Sequence, residues 1–235
     1  MTAPLMTDTD TDAAARCASA VSSYFGALFD SLEGIADAVT TGLDHRSAVS
    51  AAALTEVVEP LAFAALAEHP VVGAGFVAHQ GWLSDRDLFL AWWQGDEKQP
   101  LAERGVPLGH HVFDYTRHEW FETPRATGAR HVTGPYVDYV CTDEYVLTAT
   151  VPVIVDDRYV GVAGADTRLE TFEQLMREPL RDPSGAGDVV LVNSHDRCVV
   201  AADPLLRSGQ KVREASYARV TQLDRLPFRV LAGRR

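Results

Sequence analysis

The spacing of apolar positions changes along the chain, from helical at the start to alternating later. Between Asp12 and about Leu43, the residues Val21, Tyr24, Phe25, Leu28, Leu32 and Ile35 recur three and four apart. That spacing stacks them on one helix face. Asp12 suits an N-cap and Gly42 an end, so the pattern predicts a helix of about thirty residues. Ala48–Glu68 predicts a second helical stretch, interrupted at Pro60 and stopped by His69-Pro70. Residues 1–11 are polar, acidic and without period, and are expected to be disordered.

From Val71 onward strand patterns dominate. "VVGAGFVAH" (71–79) and "LFLAWWQG" (88–95), separated by a turn over Gly81–Asp87, predict a hairpin. The stretch "DEKQPLAERGVPLG" that follows reads as loop. The strongest hairpin signal joins Tyr145–Val155 to Tyr159–Ala165 through Asp156-Asp157. Glu170–Leu180 predicts a short helix, and Pro183–Gly187 a linker. The last fifty or so residues give "DVVLVN" and "RCVVAAD" around a Ser-His-Asp turn, then "ARVTQL" and "PFRVLAG". Strands joined by short turns, with helices before and after, imply an α+β fold. A long N-terminal helix packs on a central antiparallel sheet, followed by a small C-terminal β extension. The expected organisation is a tail over 1–11, a ligand-binding domain over 12–182, and a β-rich extension or truncated second module over 188–235.

Composition narrows the function classes. The 235 residues are 46% hydrophobic and 23% charged, which suits a globular chain with ample core. The net charge of −12 opposes a nucleic-acid partner or an anionic membrane surface. It mildly favours cationic small ligands through the overall field. Cys17, Cys141 and Cys198 are far apart and form no CxxC pair, so they read as small buried side chains. The N-terminus has no basic leader followed by an apolar core, and no apolar run approaches the roughly 18–20 residues of a membrane span. A cytoplasmic location is the expectation.

The segment His110–Val140 mixes His, Asp, Tyr, Arg and Trp without clear period, as site-forming loops do. It carries no HExxH, and the chain has no GxSxG, P-loop or GxGxxG. "NSHD" (Asn193–Asp196) reads as a hairpin turn, because a triad is assembled in space and not by contiguity. Adjacent His110 and His111 would diverge on a strand, so no metal site is expected. The more informative residue is Asp166, a lone carboxylate closing the best hairpin after Gly161, Ala163, Gly164 and Ala165. Those small residues leave room above the sheet. An ammonium ion is held by a fixed carboxylate and aromatic faces together. Asp138 and Asp166 offer charge; Trp92, Trp93, Tyr115, Trp120, Phe121 and Tyr136 offer faces. Trp92 and Trp93 are adjacent and point to opposite sides of a strand; Trp93 is taken as the one lining the pocket. Asp166 could instead cap the helix near Glu170, Asp138 could satisfy loop amides, and Arg117 could form a surface ion pair.

The stretch "FDYTRHEWFETPRATGARHVTGPYVDYVCTDEYVLTATVPVIVDDRYVGVAGADTRL" resembles the Cache (PDC-like) sensor domains of bacterial receptors, a PAS-related architecture. The resemblance rests on Asp114, Arg117, Trp120 with Phe121, Pro135-Tyr136-Val137-Asp138, and the Gly161–Asp166 close. It implies a pocket on one face of the central sheet. Arg117 and Trp120 would face a ligand carboxylate, while Tyr136 and Asp166 would face its amine. The usual arginine two residues before the tryptophan is His118 here, which makes room for an amine without a carboxylate. The expected ligand set is Trp93, Tyr115, Arg117, Trp120, Phe121, Tyr136, Asp138 and Asp166, with no cofactor and no metal. The resemblance implies a non-enzymatic sensor of an amine or amino acid, paired as a homodimer through its N-terminal helix and signalling through an unknown partner. The alternatives are a hydrolase or lyase using His118 or His131 as base in the same pocket, and a ligand-free interaction module.

Overall fold

In the computed structural model, which describes residues 8–43, 48–101, 114–138, 144–181 and 188–234, helix α1 spans Asp8–Leu43. Its apolar stripe is buried as the spacing predicts: Val21, Phe25, Leu28, Leu32, Ile35 and Val39 are inaccessible to solvent. The helix begins four residues earlier than Asp12, so residues 8–11 are helical and not part of a disordered tail. The first seven residues, His110, His111, Cys141 and the linker at Pro183–Gly187 lie outside the described residues.

Helix α2 covers Ala51–Glu68, and the Ser50 hydroxyl caps it by accepting from the Ala53 amide at 3.2 Å. Pro60 does not interrupt it. Proline removes one ladder hydrogen bond, yet the buried face of Leu54, Val58, Ala62 and Ala65 continues on both sides and holds the helix in register. Among the described residues no helix is long and apolar enough to cross a membrane.

The first sheet contains β1 (Gly73–Ala78), β2 (Leu90–Gln94), β3 (Gln99–Pro100), β4 (His131–Asp138), β5 (Glu144–Val155) and β6 (Arg158–Arg168). Their order across the sheet is β3-β2-β1-β6-β5-β4, with β1 pairing antiparallel to both β2 and β6 and β5 antiparallel to β6. The β5–β6 hairpin turns on Asp156 and Asp157 at φ 49° and 59°, the doubly left-handed turn that matches strand twist. Residues 115–127, expected as loop, instead form a 3-10 turn (Tyr115–Arg117) and helix α3 (Glu119–Thr127). Gly128 ends α3 with φ 65°, and Phe121 and Pro124, three apart, are its buried contacts.

The chain divides into two compact units. One holds the first sheet with Ala27–Thr133 and Val137–Arg168. The other gathers the start of α1 up to Gly26, Gly134–Tyr136, and the chain from Leu169. The division therefore falls at the start of helix α4 (Leu169–Leu180), ahead of the boundary expected at the linker. The second unit has its own antiparallel sheet, ordered β8-β7-β10-β9, from β7 (Val190–Asn193), β8 (Cys198–Ala201), β9 (Tyr217–Gln222) and β10 (Phe228–Arg234). Phe25 packs 5.6 Å from Phe172 of α4 and 5.5 Å from Phe228, so aromatic contacts tie helix and sheet together. The last residues are thus a separate sheet and not a continuation of the first. "NSHD" is a turn: the Asn193 side chain accepts from the amides of His195 and Arg197, and Asp196 pairs with Arg229. Cys17 and Cys198 are buried, and burial pushes both thiols up to about 12.

Candidate functional site

Strand pairing decides which side chains share a face. Gly73 lies opposite Asp166 and Gln94; Gly75 lies opposite Gly164 and Trp92; Thr148 and Thr150 lie opposite Asp166 and Gly164. With side chains alternating, these residues and Val77 and Val162 project from one side of the sheet. The other side carries Ala74, Phe76, Trp93, Ala163 and Ala165, and Trp93 meets Phe63 of α2 edge to face at 5.9 Å. That side is the helix-packing core. The tryptophan on the Asp166 side is therefore Trp92, while Trp93, expected to line the pocket, packs against α2 and does not share that face.

The Asp166 side is built from short side chains, with one large one folded across them. A Cβ at Gly73 would lie 2.6 Å from Trp92 Nε1, and one at Gly164 would lie 3.4 Å from the same indole. Glycine at 73 is thus a condition for the indole to lie flat on the sheet. Gly75, at φ 158°, is closed to any side chain because its Cβ would meet the Ala91 carbonyl oxygen at 2.1 Å. Beyond the indole, Tyr115, Phe121, Leu101, Val77 and Val162 form a buried aromatic–aliphatic cluster with Trp120 and Tyr159 against it.

Polar groups concentrate at the Asp166 end. Asp166 is 4% exposed, and its Oδ1 accepts a 2.6 Å hydrogen bond from the Thr148 hydroxyl. Burial first, then the nearby Asp138 charge, raise its carboxyl to about 7, against the smaller opposing effect of Thr148. The indole Nε1 of Trp92 and the hydroxyl of Thr150 are buried without a hydrogen-bond partner among the described residues. A buried carboxyl and two buried donors on one face, under the Trp92 indole, is an arrangement that polar groups adopt at a binding site. Asp166 is not a helix cap: it lies within β6, its Oδ1 accepts from a strand hydroxyl, and α4 begins only at Leu169.

The other expected site residues divide by their surroundings. Tyr115 is fully buried; its hydroxyl donates to the Ala78 carbonyl at 2.6 Å and accepts from the Phe89 amide at 3.1 Å. It clamps the ends of β1 and β2, and burial pushes its phenol up to about 12. Trp120 stacks on Tyr115 at 6.2 Å and Phe121 packs against it at 5.4 Å. Asp138 is buried within electrostatic reach of Asp166. Tyr136 is half-buried on β4, in the segment that clusters with the second unit. Arg117 is exposed and lines a cleft of about 550 Å³ with His79, Gln80, Thr116, Phe121, Glu122 and Arg125. His118, tilted against Trp120 at 5.8 Å, is half-buried; desolvation lowers its pKa, which favours the neutral ring. His131 bonds Glu119 through Nε2 at 3.0 Å.

Trp92, Gln94, Thr148 and Thr150 are absent from the expected set. Their signal is present as "GAG" at 73–75 and "TAT" at 148–150, but reading it requires the register that sets them beside Asp166.

Residues 85–174 match the model of the methyl-accepting chemotaxis protein-like first PDC sensor domain. Over those residues the chain is similar to a PDC sensor domain. Solved structures extend the likeness in fold to nearly the whole length. The sensory domain of the Campylobacter jejuni chemoreceptor Tlp3 with isoleucine bound aligns at a TM-score of 0.65 and 14% identity, covering 96% of this chain and 91% of that one. A structure named methyl-accepting chemotaxis protein X aligns at 0.70 and 17%, covering 97% of each. The ligand-binding domain of the Pseudomonas fluorescens chemoreceptor CtaA with L-valine aligns at 0.62 and 14%, covering 93% of this chain and 92% of that one. The PDC match is to a family of sensors and not of enzymes, which removes the hydrolase or lyase alternative. The cytoplasmic expectation finds no support among these chemoreceptor domains.

Proposed function

We propose that the Asp166 face of the first sheet binds a small organic amine or amino acid through its ammonium group, and that the chain is the sensing part of a signalling system. One observation supports this above the rest: Asp166 is a buried carboxyl that accepts from the Thr148 hydroxyl and is set beside Gly73 and Gly164, over which the Trp92 indole lies. A buried carboxylate without a cation is costly, and an incoming ammonium relieves that cost. Trp92 and the neighbouring rings supply π-faces for the cation. The solved neighbours that hold isoleucine and L-valine make amino acids natural first candidates. Binding would signal if the ligand prefers one of two arrangements of the domain, which an attached segment or a partner protein then reads. Pairing of two copies along α1 belongs to the same proposal; the exposed residues of that helix are small at Ala15, Ser19, Ser22 and Ser23 and acidic at Asp30, Glu33 and Asp37. Sedimentation would separate one chain mass from two.

A thermal-shift screen tests the ligand reading. Branched-chain amino acids and their decarboxylated amines form one set, and amine-free organic acids another. At a hundred times its dissociation constant a ligand stabilises by about 2.7 kcal/mol, a readily measured rise. The rise is expected in the amine-bearing set and should disappear in Asp166→Asn. An equal rise from amine-free acids, or one that survives Asp166→Asn, would remove the reading.

A further inference from the structure

We propose that the ligand's ammonium takes the place of a proton on Asp166, so that binding expels one proton and strengthens as the solution becomes more alkaline. This rests on the ammonium reading above and adds the exchange to it.

The geometry that carries it is local. Asp166 sits on β6 with Thr148 opposite it on β5 and Gly73 opposite on β1. Thr148 gives its Oδ1 a neutral donor at 2.6 Å. The charged group that acts on it is Asp138 from β4, a second buried carboxyl and not a cation. From β2 it is faced by Trp92 and Gln94, both uncharged. On its own strand the next residue on that face, Arg168, is half-exposed and pairs with Glu144. From the α3 side His118 is coupled electrostatically to Asp138, and desolvation keeps its ring toward the neutral form. Two carboxyls brought together out of water cannot both hold full charge cheaply, so one keeps a proton. Burial and Asp138 accordingly hold the Asp166 carboxyl near neutrality. A second, independent feature marks this spot as a binding position. Trp92 Nε1 lies over Gly73, the cross-strand partner of Asp166, and is buried without a hydrogen-bond partner among the described residues.

The exchange balances simply. In the empty site the Asp166 Oδ–H bond is intact. A protonated amine enters, its N–H donates to the carboxylate oxygen, and the displaced proton leaves to buffer. No electrons move. A ligand must therefore bring its own positive charge.

The test uses 3-methylbutylamine as probe, followed by tryptophan fluorescence on the full chain from pH 5 to 9. The apparent Kd should fall about tenfold per pH unit while Asp166 holds its proton, then level off once it is ionised. Calorimetry in two buffers of different ionisation enthalpy should return close to one proton released per ligand near pH 6, and none near pH 9. Asp138→Asn should move the bend of the profile to lower pH, because removing the neighbouring charge lets Asp166 ionise earlier while its burial remains. A parallel arm without ligand follows the Asp166 carboxyl carbon by NMR; a midpoint near that of a free aspartate would overturn the exchange. Binding with a flat pH profile overturns the exchange and leaves the ammonium reading standing. No binding of the amine, nor of L-valine run beside it, at any pH overturns both.

Discussion

Replacing Asp166 by asparagine should make the empty protein more stable in alkali and leave it unchanged in acid. The reason is linkage. Asp166 holds its proton to about 7 in the fold, whereas an unfolded aspartate loses it near pH 4. The folded state therefore binds more protons than the unfolded state between those values. Stability is fully present below about pH 4, falls as pH rises, and is lost by the time Asp166 ionises. At about 1.4 kcal/mol per tenfold change, the full swing is about 4 kcal/mol at most. Asparagine keeps an oxygen to accept from Thr148 and never ionises, so the variant escapes the loss. Urea unfolding of both proteins at half-unit steps from pH 4 to 8 measures it, and the difference between the two curves cancels the titrating groups that do not interact with Asp166. The curves should coincide near pH 4 and diverge to a few kcal/mol in favour of the variant by pH 8. A difference independent of pH would refute the reasoning. So would a wild type that gains on the variant as pH rises, the sign expected of a carboxylate paired with a cation or capping a helix.

Other outcomes follow from the same contacts. Tyr115→Phe removes the hydroxyl that bridges the Ala78 carbonyl and the Phe89 amide, and should lower unfolding free energy by about 1–3 kcal/mol in denaturant titration. Arg117→Ala alters an exposed side chain on the 550 Å³ cleft, so stability should stay within about 0.5 kcal/mol and the ligand-induced thermal shift should persist. Loss of that shift would bring Arg117 back into the site. Asp157→Gly places glycine where φ is 59°, a left-handed position that this turn favours for glycine, and should raise stability by up to about 1 kcal/mol in the same titration.

The failures of sequence reading are as instructive as its successes. Helix α3 reads as loop because its nine residues hold one proline and only two buried contacts, too short a pattern for a 3.6-residue period to emerge. Its punctuation is nonetheless there, with Glu119 and Glu122 in the first turn, Arg125 in the last and Gly128 after it. Trp92 and Trp93 show a different limit. Alternation says that adjacent residues part company, but which of them meets the helix depends on the partner strand.

Local chemistry written in the sequence determined the long amphipathic helix, the hairpin turned on two aspartates, the resemblance to PDC sensors, and the choice of Asp166 as the residue to watch. Helical spacing and turn propensity act over a few residues, so they can be read without coordinates. The tertiary structure alone decided that Asp166 shares a face with Thr148, Gly73 and Trp92, that Asp138 approaches it, and that Arg117 stands on an exposed cleft. Those facts depend on strand order and register across β1, β5 and β6. Register is fixed by which faces can be buried together, a condition on the whole sheet that no single stretch of sequence expresses.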